Sequence, residues 1–380
     1  MTESELAGGR PTCAEIDLDA LAANFRAVRA HVREGVKVMG VVKADAYGHG
    51  AVECARRLEA EGAEWFGVAT PEEGIRLRRA GVSRPVLSFG GFWAGQAGEC
   101  IEQGIVPVVY RLDMVEALDA AARAANVLAD VHVKVDTGMG RLGVRYDEAA
   151  EFADGLHAFR NVRVDGLMTH FAAADEPRRD CFTEEQLGRF REAVAAFRAR
   201  GHHPTYEHMA NSAATFAHTE TWGNMVRPGG VLYGLWRDIL PPLADGPKLL
   251  PVMSVRSRVT LVKRVHAGET LGYGCTYEAA REMKVATIPI GYADGYVRAL
   301  SNRGRVVVAG KLAPVVGRVS MDLTLVDVTD VEGVEVGERV TLFGADAGVT
   351  IPAEDLAQTA GTLSYEITCG ISARVPRCFL

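Results

Sequence analysis

Lys43 closes an apolar run over residues 36–42, and Ala44-Asp45-Ala46-Tyr47-Gly48-His49-Gly50 follows at once. An amine at the end of a buried strand, beside a glycine-rich turn, is delivered to the mouth of a pocket. Partly desolvated there, it loses its preference for the ammonium form and can serve as nucleophile or base. Tyr47 adds a phenol able to bond a phosphate or a carboxylate. A strand-end lysine by itself more commonly snorkels to water, so the reading rests on repetition. Lys134 lies within the run 130–136, and Arg141 follows it in Asp136-Thr137-Gly138-Met139-Gly140-Arg141-Leu142-Gly143. His170 ends the run 162–169, Asn211-Ser212 follows 205–210, and Arg227 ends 224–227 with Gly229-Gly230 behind it. Five strand ends thus carry polar groups of related kinds.

The elements that must position them alternate. Strands are expected at 36–42, 65–69, 85–89, 106–110, 130–136, 162–169, 205–210 and 224–227. Amphipathic helical patterns fall at 51–60, 71–79, 114–125, 147–158 and 183–200, and an opening helix at 19–33 carries Leu21, Phe25 and Val28 on one face. This is an α/β arrangement, an N-terminal (β/α)8 TIM barrel, in which residues past the C-terminal end of each strand face one shared site. After Pro241-Pro242 the texture becomes short β-branched runs at 255–265, 285–290, 305–308, 314–317, 323–328 and 338–343. A mostly β C-terminal domain is therefore expected over 241–380, after a barrel over 12–240, with the boundary within 236–250.

The chain of 380 residues suits about two domains. Its net charge of −7 gives no reason to expect a nucleic acid or an anionic membrane as partner. No apolar run approaches the roughly 20 residues needed to span a bilayer, and the polar opening segment 1–11 lacks the apolar core of a secretory signal. Seven scattered cysteines, odd in number and without a C-x-x-C pair, favour reduced thiols and a cytoplasmic location. His202, His203 and His208 lack partnered metal-ligand spacing and read as surface or packing residues; no metal site is expected.

The string around Lys43 closely resembles the cofactor-attachment motif of the alanine racemases, pyridoxal-phosphate enzymes built from a barrel plus a β-domain. The resemblance runs from Glu15 almost to Leu380. It includes Met209-Ala210-Asn211-Ser212, Val226-Arg227-Pro228-Gly229, Gly272-Tyr273-Gly274 and Ser320-Met321-Asp322. It implies that Lys43 carries pyridoxal 5'-phosphate as a Schiff base. Tyr47, Ser212, Tyr365 and the Gly230 amide would hold the phosphate, with Asn211 and Gly229 beside them. Arg141 would bond the cofactor's phenolic oxygen and help place the substrate carboxylate, while Arg227 would face the pyridine nitrogen. The lysine matching Lys134 is often carbamylated in this family, which would let it brace Arg141 as an anion.

Racemisation needs an acid or base on each face of a planar carbanion. By resemblance Lys43 serves the D-isomer and Tyr273 the L-isomer. Ionising an ordinary phenol at pH 7 costs roughly 4 kcal/mol, and a Tyr273–His170–Arg227 hydrogen-bond chain is the expected offset. The family supplies the residues matching Tyr273, Met321 and Asp322 from the partner subunit, which implies a head-to-tail homodimer with two shared sites. The implied product is D-alanine for peptidoglycan.

Two positions depart from the family pattern. Gly230 replaces the usual isoleucine, which implies a looser phosphate cup, and Leu323 replaces a common glutamine near the entrance. Racemisation of serine or another amino acid and a non-catalytic carrier of the cofactor are the alternatives. The intact Tyr273 and the extra β-domain weigh against the carrier.

Overall fold

The computed structural model describes residues 9–93, 95–242 and 248–380. Residues 1–8, where most of the expected leaderless segment falls, and 243–247, within the expected boundary, lie outside them. Eight parallel strands run in the order Met225–Val226, Lys37–Val41, Trp65–Val68, Val86–Ser88, Ile105–Val109, Ala129–Asp136, Val162–Met168, Tyr206–His208. The two end strands approach through Asn224 N–H to Glu207 O (3.1 Å) and Arg227 N–H to Ala210 O (3.0 Å), which brings the sheet close to a full barrel. Helices Ala51–Ala60 and Pro71–Arg79 coincide with the periodic stretches of the sequence. The strands are buried on both faces, as parallel sheets demand: Val38, Val68, Val86, Val133 and Leu167 are all fully enclosed.

The opening helix Leu18–His31 starts at Asp17, whose carboxylate accepts from Ala20 N–H at 2.8 Å. Its buried Asn24 ties it to the chain beyond the barrel, donating to Leu232 O and Leu250 O and accepting from Leu250 N–H.

The second sheet has the order Lys311–Pro314, Arg305–Val308, Arg339–Asp346, Met253–Arg258, Cys13–Ile16, Arg377–Phe379. Strand Cys13–Ile16, inside the stretch 12–240 assigned to the barrel, is thus a member of this sheet. It pairs antiparallel with Met253–Arg258 and parallel with Arg377–Phe379. The expected run 255–265 is two strands, because the chain changes sheets within it. Met253–Arg258 pairs with Arg339–Asp346, and Leu261–Val265 with Met283–Ile288. Helices Ala353–Ala360 and Ser364–Gly370 complete the domain. Among the described residues no helix is long and apolar enough to cross a membrane.

Candidate active site

Strand Lys37–Val41 hands Lys43 to a left-handed turn. Ala44, Asp45, Ala46 and Tyr47 all have φ between 52° and 57°. Each non-glycine residue held in this region costs about 1–2 kcal/mol, so the turn exists only because its surroundings enforce it. Glu73 accepts from Ala44 N–H and Ala69 N–H, both at 2.7 Å, and Asp45 accepts from Ala51 N–H at 2.9 Å. Arg377, from the last strand of the chain, donates to Gly48 O at 2.9 Å. Gly48 continues the left-handed path at φ 85°, pressed so close to Thr368 O that no Cβ fits. The turn brings Tyr47 back beneath Lys43, whose Nζ lies 6.0 Å from the Tyr47 ring centroid.

Lys43 faces a cavity of about 410 Å³. Tyr47, Lys134, Arg141, His170, Asn211, Ser212, Arg227, Gly229 and Tyr365 share its wall. Burial lowers the Lys43 pKa, helped by the nearby Arg141 and opposed by Glu73. Lys134, 4% exposed, is pulled down to about 8 by burial and by the Arg227 and Arg141 charges. Arg227, also 4% exposed, is pulled down to about 9 by burial. Among the described residues none of Lys43, Lys134, Arg141 and Arg227 forms an ion pair with a carboxylate. A pocket so rich in uncompensated cations fits a polyanion.

Arg227 is held by neutral acceptors. It donates to Thr169 O (2.7 Å), Met209 O (2.9 Å), His208 Nδ1 (3.0 Å) and His170 Nδ1 (3.4 Å). Both rings must present a bare nitrogen to it. Burial, with the Arg227 charge behind it, pushes both histidines well below their ordinary range. His208 then donates from Nε2 to His132 Nδ1 at 2.7 Å. The reading of His208 as a surface or packing residue is therefore corrected: it is fully buried and orients Arg227. Its partner His132 lies 76 residues away in sequence, and no spacing rule connects them.

At the other end of the cavity the glycines make a cradle. Ser212 Oγ accepts from Gly229 N–H at 2.9 Å, and Asn211 caps the helix Ser212–Ala217 through Ala214 N–H at 3.0 Å. A Cβ at Gly229 would overlap the Tyr47 hydroxyl, and one at Gly230 would overlap Tyr365 and Ile239. Two phenols therefore converge with the Gly229-Gly230 backbone where side chains at 229 and 230 would exclude them. Burial raises the pKa of both Tyr47 and Tyr365, keeping them as O–H donors. This corrects the expectation of a loosened cup: Tyr365 and Ile239 take up the space at Gly230. Asp238 fixes Tyr365 indirectly, accepting from Ser364 N–H (2.7 Å) and Ser364 Oγ (2.8 Å) at the start of the helix that carries it. The donor set and cradle fit a phosphorylated aromatic aldehyde, with the phosphate at Ser212 and Lys43 beside the carbonyl.

Tyr273, Met321 and Asp322 do not join this wall. Tyr273 is 71% exposed and Met321 53%, both on the second domain, and Asp322 is paired with Arg374 at 2.8 Å. Within one chain the expected Tyr273–His170–Arg227 relay thus reaches only from Arg227 to His170. Glu73, Asp238 and Gln186 went unnoticed in the sequence. Buried Gln186 ties the loops carrying Arg141 and His170, donating to Thr137 Oγ1 and His170 O and accepting from Ala172 N–H.

Residues 16–236 match the family model described as alanine racemase, N-terminal domain, and residues 252–379 match its C-terminal domain. The alanine racemase of Geobacter sulfurreducens is 46% identical, the match covering 98% of this chain and 97% of that one. The alanine racemase of Symbiobacterium thermophilum is 44% identical, covering 99% and 98%. Among solved structures, the alanine racemase of Streptomyces lavendulae superposes with a TM-score of 0.92 at 40% identity, covering 98% and 97%. The alanine racemase of Bartonella henselae, with covalently bound pyridoxal phosphate, superposes with 0.86 at 29% identity, covering 97% and 99%.

Proposed function

The chain belongs to the alanine racemase family, and from that premise we propose that it interconverts L- and D-alanine with pyridoxal 5'-phosphate held on Lys43. The observation that carries this reading is the half-buried Lys43 amine, shifted toward its neutral form, facing a cavity whose cations form no ion pair with a carboxylate among the described residues. Tyr47, Ser212, Tyr365 and the Gly230 amide would take the phosphate, and Arg227 the ring nitrogen. When bound, the cofactor supplies a conjugated ring that accepts the electron pair left as the substrate Cα–H bond breaks.

The remaining work falls to the protein. The Lys43 Nζ, its pKa lowered by desolvation, takes or returns the proton on one face of the substrate Cα. The Tyr273 Oη serves the other face. Arg227 offers only N–H donors, so toward the cofactor's ring nitrogen it would favour the unprotonated form and restrain electron withdrawal. That restraint limits misplaced protonation, and with it transamination. Arg141 pairs with the substrate carboxylate. Lys134, shifted toward the free amine, can add CO2 with loss of one proton; the resulting carbamate anion would brace Arg141.

Tyr273, Met321 and Asp322 stand on an exposed part of the second domain, with Leu323 also exposed, at 44%. We propose that a second copy of the chain presents these residues to the Lys43 cavity, in a head-to-tail homodimer with two shared sites. The β-domain that carries Tyr273 matches the family model, which weighs against a non-catalytic carrier. Made in the cytoplasm, in keeping with seven free thiols, D-alanine would feed peptidoglycan assembly. Incubating the protein with the cofactor and a mixture of L-amino acids tests the substrate. D-alanine should form fastest, and a different leading D-isomer would move the substrate while keeping the reaction.

A further inference from the structure

We infer that His49 is a positioning residue for the cofactor site, its imidazole bolting the left-handed turn that aims both Lys43 and Tyr47. This rests on reading the pocket as a pyridoxal-phosphate site. His49 does not face the cavity; it acts from behind the turn.

The side chain is fully buried. Its Nδ1 lies 2.9 Å from Ala46 O and 3.0 Å from Tyr47 O, so one N–H is shared between the carbonyls of the last two left-handed alanine and tyrosine residues. Two carbonyls facing one ring nitrogen require that nitrogen to carry the proton. Nε2 meets no donor or acceptor among the described residues. The ring is therefore a single-tautomer donor, and burial, its largest influence, holds it neutral, with Arg377 and Asp45 the charged groups nearby.

Aromatic packing fixes the ring in turn. His49 packs against Tyr233 with centroids 4.6 Å apart and the rings tilted by 30°, and Tyr233 packs on Tyr47 at 5.1 Å. The Tyr233 hydroxyl donates to Val41 O at 2.9 Å, at the end of the strand that delivers Lys43. His49 thus holds the turn from within, and Tyr233, packed on both His49 and Tyr47, ties it to the strand. The backbone at Ala46 and Tyr47 has a strong preference for right-handed geometry. Without the shared N–H, relaxation there would swing the Tyr47 phenol away from Gly229 and turn Lys43 off the cavity.

The test is a titration of cofactor-free protein with pyridoxal 5'-phosphate, followed by its visible absorbance, alongside thermal melting of each cofactor-free variant. His49→Asn places an amide N–H near the position of Nδ1, whereas His49→Gln carries the same amide one carbon further out. His49→Leu removes the donor while keeping an apolar side chain. Cofactor affinity should stay within about threefold of wild type in His49→Asn and weaken about tenfold or more in His49→Gln and His49→Leu, the weight of one hydrogen bond. If His49→Leu does not fold, the Asn–Gln pair carries the comparison. Equal affinity in the Asn and Gln variants, or wild-type affinity in the Leu variant, would overturn the role. Wild-type protein that takes up no cofactor would instead overturn the site reading, and this role with it.

Discussion

The Arg227 guanidinium donates to Nδ1 of His208 at 3.0 Å, so a charge buried deep in the barrel is satisfied by a neutral ring instead of a carboxylate. That choice keeps the cation undiminished toward the cavity. It also makes His208 a structural necessity. Replacing it by leucine strands an Arg227 N–H and the His132 Nδ1 together. We expect His208→Leu to lower the unfolding free energy by about 2–4 kcal/mol, read by urea denaturation. A loss below half a kilocalorie per mole would show that the Arg227–His208 bond contributes little.

Tyr273→Phe removes the proposed second acid–base group without removing its ring. Racemisation should fall about 10²-fold or more, the usual weight of a general acid or base. Cofactor affinity should stay near wild type, because Tyr273 is not in the wall that holds the cofactor. Turnover close to wild type would remove Tyr273 from the chemistry.

If each site draws Lys43 from one subunit and Tyr273 from the other, two inactive proteins can rescue one another. Lys43→Ala and Tyr273→Phe chains, unfolded and refolded together in equal amounts, should form hybrid dimers with one intact site. About a quarter of wild-type activity per chain is expected from random pairing. No activity above that of the separate variants would contradict a shared site.

Three buried histidines and the half-buried His170 set an acid limit. Burial lowers the pKa of His49 to about 4 and of His132 to about 3, and holds His170 and His208 well below their ordinary range. A base whose folded value lies below its unfolded value of about 6.5 binds its proton first in the unfolded chain. Its full stability is present above that value and is lost as pH falls from about 6.5 toward 4. Each histidine contributes up to about 1.4 kcal/mol per pH unit in this window. Urea unfolding of the cofactor-free protein should show stability falling between about pH 6.5 and 5. A flat profile over that range would contradict neutral buried rings.

The strand ends were legible because apolar runs mark them: Lys43, His170 and Arg227 each close a run that is a strand or abuts one. Helices Ala51–Ala60 and Pro71–Arg79 were legible through their period. Strand Cys13–Ile16 was not, because four residues carry little pattern and their partners lie some 240 residues on. Nor was the left-handed turn, since Ala44-Asp45-Ala46-Tyr47 has an ordinary helical composition. Glu73 and Arg377, which bond the turn's backbone, come from other parts of the chain. The His208–His132 pair escaped for the same reason. Tyr273 is exposed and outside the wall of the Lys43 cavity, so the packing of one chain does not bring it to the other site residues.

Chiral chromatography of L-alanine incubated with the purified protein and pyridoxal 5'-phosphate, beside the Lys43→Ala variant, decides whether Lys43 carries the reaction. Racemisation through Lys43 requires wild-type protein to carry L-alanine to a mixture of equal enantiomers while the variant leaves it unchanged. L-alanine left intact by cofactor-loaded wild-type protein, or racemised equally by Lys43→Ala, would contradict it.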